Sequence, residues 1–225
     1  MSVSVQESLL DMGGEQDSPV LGDLGRSVRR TPLTRGAWVD FVPGWVTGSA
    51  SVFGRLVETV PWRAEQRKMY DRVVAVPRLL CFYGDGAPLP DPVLTAAREA
   101  LNAYYGPERG EPFRTAGLCL YRDGRDSVAW HGDTIGRGQT EDTMVAIVSL
   151  GSPRVLALRP RGGSAGPEAG SGAPPEARPL RFEVGHGDLL VMGGSCQRTW
   201  EHGIPKSARP TGSRISVQFR PHDVR

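Results

Sequence analysis

The sequence predicts an α+β protein whose core is mainly β, of the sandwich or barrel class. Glycine and proline number 29 and 19 of 225 residues, which favours strands and turns over a helical bundle. From Phe113 onward, short apolar runs alternate with Gly- and Pro-rich turns. The length suits one sizeable core, so we expect a single domain over residues 31–225.

Composition limits the setting in which the protein works. The net charge of +2 and the pI near 8.6 are too weakly basic to indicate nucleic-acid binding on their own. The three cysteines, Cys81, Cys119 and Cys196, are odd in number and widely spaced, which argues against a disulfide framework. No apolar run approaches the roughly 20 residues of a membrane span, and the acidic N-terminus lacks the pattern of a signal peptide. We therefore expect a cytoplasmic protein that does not engage membranes, and a monomer.

The N-terminal third is predicted to hold a tail, a helix and two strand-like segments. Residues 1–30 are polar and aperiodic, which predicts a mostly disordered tail. Residues 36–48 look like a strand and turn, and residues 49–60 carry apolar side chains at helical spacing. A charged stretch, RAEQRKMYDR, precedes a strand whose Pro77 indicates an edge or a bulge.

The remaining elements follow from capping and alternation. Asp91-Pro92 begins a helix, and Gly106-Pro107 is predicted to end it. The low-complexity segment 159–179 is predicted to be a flexible hairpin loop. The later strands are expected at residues 116–121, 127–131, 143–150, 154–159, 180–184, 188–192, 197–201 and 213–220.

The last strand, RISVQFR, alternates strictly between polar and apolar residues. This places Arg214, Ser216, Gln218 and Arg220 on one face. That face could simply meet water, as in many half-buried strands. Alternatively it lines an anion pocket, because the guanidinium fork of arginine binds carboxylates through two hydrogen bonds.

The stretch LYRDGRDSVAWHGD, residues 120–133, carries a candidate metal pair. Residues i and i+2 of an extended chain share a face, so His131 and Asp133 project together. His202, just after a predicted strand in TWEHGIPK, is the candidate third ligand. His186 in a turn is interpreted as structural, and His222 near the end of the chain as exposed.

Two histidines and one carboxylate with open positions suit ferrous iron that works with oxygen and a chelating cosubstrate. The same three ligands could describe a catalytic zinc that activates water. Iron chemistry needs a positive partner for the distal carboxylate of the cosubstrate, which Arg214 could provide, and Tyr121 could donate its hydroxyl. A zinc hydrolase requires neither residue, so this pair favours iron.

Five segments occur in one order along roughly residues 38–221: PRLLCFYGDG, LYRDGRDSVAWHGD, GDLLVMGG, TWEHGIPK and RISVQFR. Through them the sequence resembles the AlkB family of Fe(II)- and 2-oxoglutarate-dependent dioxygenases. The resemblance implies a double-stranded β-helix, or jelly roll, over residues 113–222. It also implies supporting helices and an N-terminal nucleotide-recognition lid over residues 36–90.

The resemblance also implies roles for individual residues. His131, Asp133 and His202 would ligate iron, with 2-oxoglutarate and O2 as co-reactants. Four residues would hold the cosubstrate: Tyr121, Arg214, Ser216 and Arg220. Substrate contacts would come from Tyr83, Arg78, Tyr70 and Trp130, with Tyr83 near an extruded base and Met69-Tyr70 as a wedge. Basic lid residues could meet phosphates, unless they form an ordinary solvated helix face: Arg63, Arg67, Lys68, Arg72 and Arg78.

Three positions depart from the family pattern. Cys119 and Ser216 stand where relatives carry asparagines near the cosubstrate, and Ile135 stands where repair enzymes carry an acid near the base. The expected activity is oxidative demethylation of alkylated nucleobases in DNA or RNA, a direct reversal of alkylation damage. The alternatives are the same chemistry on a protein or small molecule, a non-catalytic nucleic-acid-binding module, or a zinc hydrolase.

Overall fold

The computed structural model describes residues 18–69, 72–109, 111–162 and 179–224. Their strands are β1 (Val20–Leu21), β2 (Arg29–Pro32), β3 (Ala37–Val42), β4 (Val46–Thr47), β5 (Arg63–Met69), β6 (Arg72–Tyr83), β7 (Thr115–Tyr121), β8 (Val128–His131), β9 (Val145–Gly151), β10 (Arg154–Pro160), β11 (Leu180–Val184), β12 (Leu189–Gly194), β13 (Trp200–Ile204) and β14 (Arg214–Arg220). Their α-helices are α1 (Leu24–Ser27), α2 (Ser49–Thr59), α3 (Pro92–Arg109) and α4 (Cys196–Thr199). Within the described ranges, none of these helices has the length and apolarity that crossing a membrane requires.

Two sheets form a sandwich, as the jelly-roll prediction requires. The large sheet has eight strands in the order β2-β3-β12-β9-β14-β7-β6-β5, and the small sheet has four in the order β11-β10-β13-β8. One face of the large sheet packs against α2 and α3 through residues such as Leu56 and Leu101. Its other face packs against the small sheet, where Ile147 of β9 meets Leu158 of β10 in one apolar cluster. The predicted mainly β class with supporting helices is confirmed.

The predicted tail is wrong for the part of it that the structure describes. Residues 18–30 include β1, α1 and the first half of β2. Arg30 binds the buried carboxylate of Asp40 through two hydrogen bonds of 2.8 and 2.9 Å, and its guanidinium lies 3.7 Å above the Trp38 ring. Charge pairing with a partner in β3, rather than apolar periodicity, holds this segment. Residues 1–17 lie outside the described residues.

Other boundaries also differ from the sequence prediction. The helix α3 passes through Pro107 to Arg109, although the missing N–H of Pro107 removes one hydrogen bond from its last turn. The predicted strand 197–201 is instead the helical turn α4 followed by β13.

The charged stretch, RAEQRKMYDR, includes the hairpin strand β5, so the alternative of a solvated helix face is wrong. β6 runs through Pro77 opposite a register shift, and this confirms the predicted bulge. The predicted loop 159–179 starts too early, since β10 extends to Pro160; residues 163–178 lie outside the described residues.

Candidate metal and cosubstrate site

The two candidate histidine ligands lie opposite each other on neighbouring strands of the small sheet. His131 of β8 pairs with His202 of β13, and their ring centroids are 4.3 Å apart. Val128 pairs with Ile204, so three residue steps in β8 match two in β13. This β-bulge lets both Val128 and His131 turn inward, which regular alternation would forbid. Bulges of this kind commonly re-aim a side chain beside an active site.

Asp133 completes a three-residue cluster with the two imidazoles. The ligand atoms of His131, Asp133 and His202 all lie within 4.8 Å of one another. The Nδ1 atom of His131 lies 2.9 Å from the carbonyl oxygen of Ala129. An Nδ1–H donated to that carbonyl leaves Nε2, which is 3.7 Å from Asp133 Oδ1, as the free ligand atom. The structure therefore brings together the three side chains that the sequence nominated.

The electrostatics of the cluster suit metal binding at neutral pH. Burial opposes ionisation of Asp133, but Arg220 and His202 outweigh it and hold the pKa of the carboxyl at about 2. Arg220 donates from Nε to Asp133 Oδ2 at 2.7 Å. Burial and the charge of His131 lower the pKa of His202 to about 3. A charged carboxylate and a neutral imidazole are the forms that bind a metal ion.

Arg214 is the second distinctive feature of the site. Its side chain is fully buried, and Nε donates to Ser149 Oγ at 2.9 Å. Its two terminal nitrogens have no hydrogen-bond partner among the described residues. The guanidinium lies 5.3 Å from the ring centre of Tyr121, and burial lowers its pKa. A buried cation with an unused two-pronged donor fits a carboxylate ligand, so the residues present match a metal with a dicarboxylate cosubstrate.

The polar face of β14 points into the sandwich, so the prediction of a water-facing strand is wrong. Gln218 donates from Nε2 to Ser216 Oγ at 2.6 Å, and the thiol of Cys119 lies 3.6 Å from Gln218 Oε1. These three buried residues occupy the floor between Arg214 and Arg220. Gln218 thus supplies an amide close to the two positions where the family asparagines are missing.

Tyr121 lies beside Arg214, since the two residues are register partners on β7 and β14. Burial, followed by the nearby Cys119, raises the pKa of the Tyr121 phenol to about 12. The hydroxyl is therefore protonated at neutral pH and available as a donor.

The structure contradicts one predicted substrate contact. Tyr83 packs in the core on the helix side of the large sheet, the face opposite the metal cluster. Burial, followed by Cys81, raises its pKa to about 12. The neighbouring Phe82 shares the face of Leu80 and Cys119 and is 51% exposed. Because neighbouring residues of a strand point to opposite faces, Phe82 rather than Tyr83 lies on the face of the metal cluster.

The other predicted substrate residues are placed as follows. Arg78 is partly buried and donates from its terminal nitrogen to the Ser127 carbonyl at 3.1 Å. Trp130 is 37% exposed in the β8 bulge, with the Arg159 guanidinium 4.5 Å from its ring centre. Ile135 is 67% exposed. Tyr70 lies outside the described residues.

Two buried polar residues near the site were missed from the sequence. Gln197 in α4 accepts a hydrogen bond from the main-chain nitrogen of Asp133 at 2.9 Å. Arg154 donates to the carbonyls of Asp123, Asp126 and Pro205, which fixes two loops beside Tyr121. Neither lies in a motif or on an alternating polar face, so no local pattern could have identified them.

A comparison with known proteins agrees with this geometry. The model of the 2OG-Fe(II) oxygenase superfamily matches residues 47–220, and the chain belongs to that superfamily. Within it the chain is similar to curated AlkB-family relatives. It is 29% identical over 198 residues to "Alpha-ketoglutarate-dependent dioxygenase alkB homolog 3" of Bos taurus, covering 81% of this chain and 65% of the relative. It is 30% identical over 201 residues to "DNA oxidative demethylase ALKBH2" of Arabidopsis thaliana, covering 76% of this chain and 62% of the relative.

The chain therefore spans slightly less than two thirds of the length of these relatives. Solved structures share the fold. A 2OG-Fe(II) oxygenase-family oxidoreductase from Burkholderia pseudomallei aligns with a TM-score of 0.54 at 10% identity, over 83% of this chain and 86% of its own. OsALKBH1 aligns with a TM-score of 0.52 at 14% identity, over 86% of this chain and 100% of its own.

Proposed function

We propose that this protein is an Fe(II)- and 2-oxoglutarate-dependent dioxygenase that removes methyl groups from alkylated nucleobases in DNA or RNA. The observation that carries the chemistry is the unpartnered, buried guanidinium of Arg214 next to the cluster of His131, Asp133 and His202. A hydrolytic zinc site would have no use for such a cation, whereas a dicarboxylate cosubstrate requires one.

The chain's own residues would divide the work as follows. His131, Asp133 and His202 would hold Fe(II), and Arg220 keeps Asp133 charged and oriented. Arg214 would bind the distal carboxylate of 2-oxoglutarate while Tyr121 donates its hydroxyl, with Ser216 alongside. When bound, the iron, 2-oxoglutarate and O2 supply the oxidation of an N-methyl C–H bond.

A nucleobase substrate is supported by the surroundings of the site and by the relatives. Enzymes that act on a duplex base extrude it and stack it against aromatic side chains. Phe82 and Trp130 are partly exposed aromatics near the site face, and Arg78 lies on the same face of β6 as Phe82. The relatives are named for dioxygenase and DNA demethylase activity. We further propose that the protein acts as a monomer in the cytoplasm, where its three free thiols would stay reduced.

The exposed Ile135 favours one second candidate, the same chemistry on a protein or small molecule. An apolar side chain two positions after Asp133 offers no charge to a cationic methylated base. This candidate differs from the first in its substrate alone.

The deciding experiment measures succinate and formaldehyde with Fe(II), 2-oxoglutarate and a panel of methylated DNA and RNA oligonucleotides. Mass spectrometry of each strand identifies the base that is restored. His131→Ala, Asp133→Ala and His202→Ala should each abolish succinate release, and His222→Ala, an exposed histidine outside the cluster, serves as the control. Succinate without any restored base would favour the second candidate, and no succinate at all would refute the oxygenase.

The basic hairpin of β5 and β6 can be tested by salt. If its arginines meet phosphates, oligonucleotide affinity should fall steeply as salt rises. A flat salt response would argue against a nucleic-acid substrate.

A further inference from the structure

Gln197 is a buried polar residue that no motif explains. It lies in α4, the single helical turn that leads directly into β13 and His202. Its Oε1 accepts from the main-chain nitrogen of Asp133 at 2.9 Å, and this hydrogen bond is buried. One side chain therefore ties the loop of the His131–Asp133 pair to the strand that carries the third candidate ligand.

The other half of the same amide is unusual. Nε2 of Gln197 is buried and has no hydrogen-bond partner among the described residues. Leaving a buried donor unpaired costs folding free energy, so packing alone would favour an apolar side chain here. The presence of a glutamine here is therefore better explained by its hydrogen bond to the metal-site loop than by a contribution to the stability of the fold.

The main chain of α4 supports the same interpretation. A Cβ on Gly132 would lie only 2.3 Å from the carbonyl oxygen of Gln197, so the turn between His131 and Asp133 packs directly against α4. α4 is itself anchored on its far side, because Ser195 Oγ, at its N-terminus, donates to the Arg35 carbonyl at 2.6 Å. α4 is thus a fixed support against which the loop is set.

We propose that Gln197 is a positioning residue for the metal: its Oε1 fixes the main chain at Asp133 and so sets the spacing between the His131–Asp133 pair and His202. Partners that orient metal ligands commonly change metal affinity by about 10- to 100-fold when they are replaced. The proposal rests on the metal site of the proposed function, but it assigns a role to a residue outside the ligand set.

The test measures Mn(II) binding to the full chain, without substrate or 2-oxoglutarate, from the loss of the free-ion EPR signal. Gln197→Leu, which removes the acceptor, should weaken binding by about tenfold or more. Gln197→Glu keeps an acceptor of the same length and, in the protonated form that burial favours, should bind within about threefold of wild type. Gln139→Leu makes the same chemical change at an exposed position near α4 and should have no effect.

Thermal unfolding separates positioning from a purely structural role. The metal-free Leu variant should unfold within about 4 °C of wild type, because the Asp133 N–H that loses its acceptor replaces Gln197 Nε2 as an unpaired buried donor. If that variant does not fold, Gln197→Asn carries the test: its shorter amide cannot reach Asp133 and must weaken binding similarly.

Wild-type affinity in the Leu or Asn variant would overturn the proposal, as would a Glu variant as weak as the Leu variant. If wild type itself fails to bind Mn(II), the proposed function fails at its metal site. Binding by wild type without any effect at Gln197 refutes this inference alone.

Discussion

Arg220, which is partly buried, forms an ion pair with the buried carboxylate of Asp133, with Arg220 Nε 2.7 Å from Asp133 Oδ2. The pair joins the end of β14 in the large sheet to the loop after β8 in the small sheet. A candidate metal ligand is therefore held in its charged form by a cation from the opposite layer. We expect both the stability of the sandwich and the geometry of the site to depend on this contact.

Arg220→Met should destabilise the metal-free protein by about 3–5 kcal/mol, because it leaves the buried Asp133 carboxylate without a cation. Urea unfolding measures the loss. Adding Asp133→Asn to the same chain should restore most of it, since the uncompensated charge is then removed. Equal stability of wild type and Arg220→Met would show that the ion pair contributes nothing to the fold.

Arg214→Met should separate stability from cosubstrate binding. Replacing a buried cation that lacks a carboxylate partner with an apolar side chain is often neutral or stabilising, so the free protein should unfold at an equal or higher temperature. Binding of 2-oxoglutarate should weaken by about 2 kcal/mol or more, measured by calorimetry with Mn(II) present. Arg209→Met, at an exposed position, is the matched control. Unchanged 2-oxoglutarate affinity would move the carboxylate site elsewhere.

Cys196 should make the fold sensitive to alkaline pH. Burial, followed by the charge of Asp133, raises its pKa from 9.0 to about 12. Above pH 9 the thiol ionises in the unfolded chain and stays protonated in the folded one, so stability falls as pH rises. The contribution lost between pH 8 and 10 is about 1.4 kcal/mol for one such group.

Urea unfolding at these two pH values, compared between wild type and Cys196→Ala, isolates this contribution. The alanine variant should lose less stability than wild type over the same interval. An identical loss in both proteins would exclude Cys196 as the source.

Phe82 should contribute to substrate binding, and Tyr83 should not. Stacking of a base on an aromatic side chain is worth about 1–3 kcal/mol, so Phe82→Ala should raise KM for a methylated oligonucleotide by roughly fivefold or more. Tyr83→Leu, which removes the ring on the opposite face of the sheet, should leave KM unchanged. Succinate release without oligonucleotide provides the control for an intact metal site. The reverse pattern would return the contact to Tyr83.

Local periodicity was sufficient to predict the parts of the site whose residues lie close together in the sequence. The i, i+2 rule placed His131 beside Asp133, and alternation placed Arg214 and Arg220 on one face. What local periodicity cannot supply is the direction of that face, because burial of a polar face depends on which sheet packs above it. His202 became the partner of His131 only through long-range pairing and a bulge.

The sequence predictions that differ from the structure also have physical causes. Tyr83 was expected on the face of the site, but neighbouring residues in a strand point to opposite faces, so Phe82 lies there instead. The role of Gln197 was not predicted, because it lies in a single helical turn where the sequence pattern indicates a strand. The segment around Arg30 looked disordered because its stability comes from Asp40 and Glu108, which lie 10 and 78 residues away.

That segment has a practical consequence for work with the protein. β2 is one of the two edge strands of the large sheet and covers the hydrogen-bonding edge of β3. Truncation before Ala37 would uncover that edge and strip Arg30 from the buried Asp40. Open strand edges pair with other chains, so the shortened protein is expected to self-associate. Expression should therefore begin upstream of Val20.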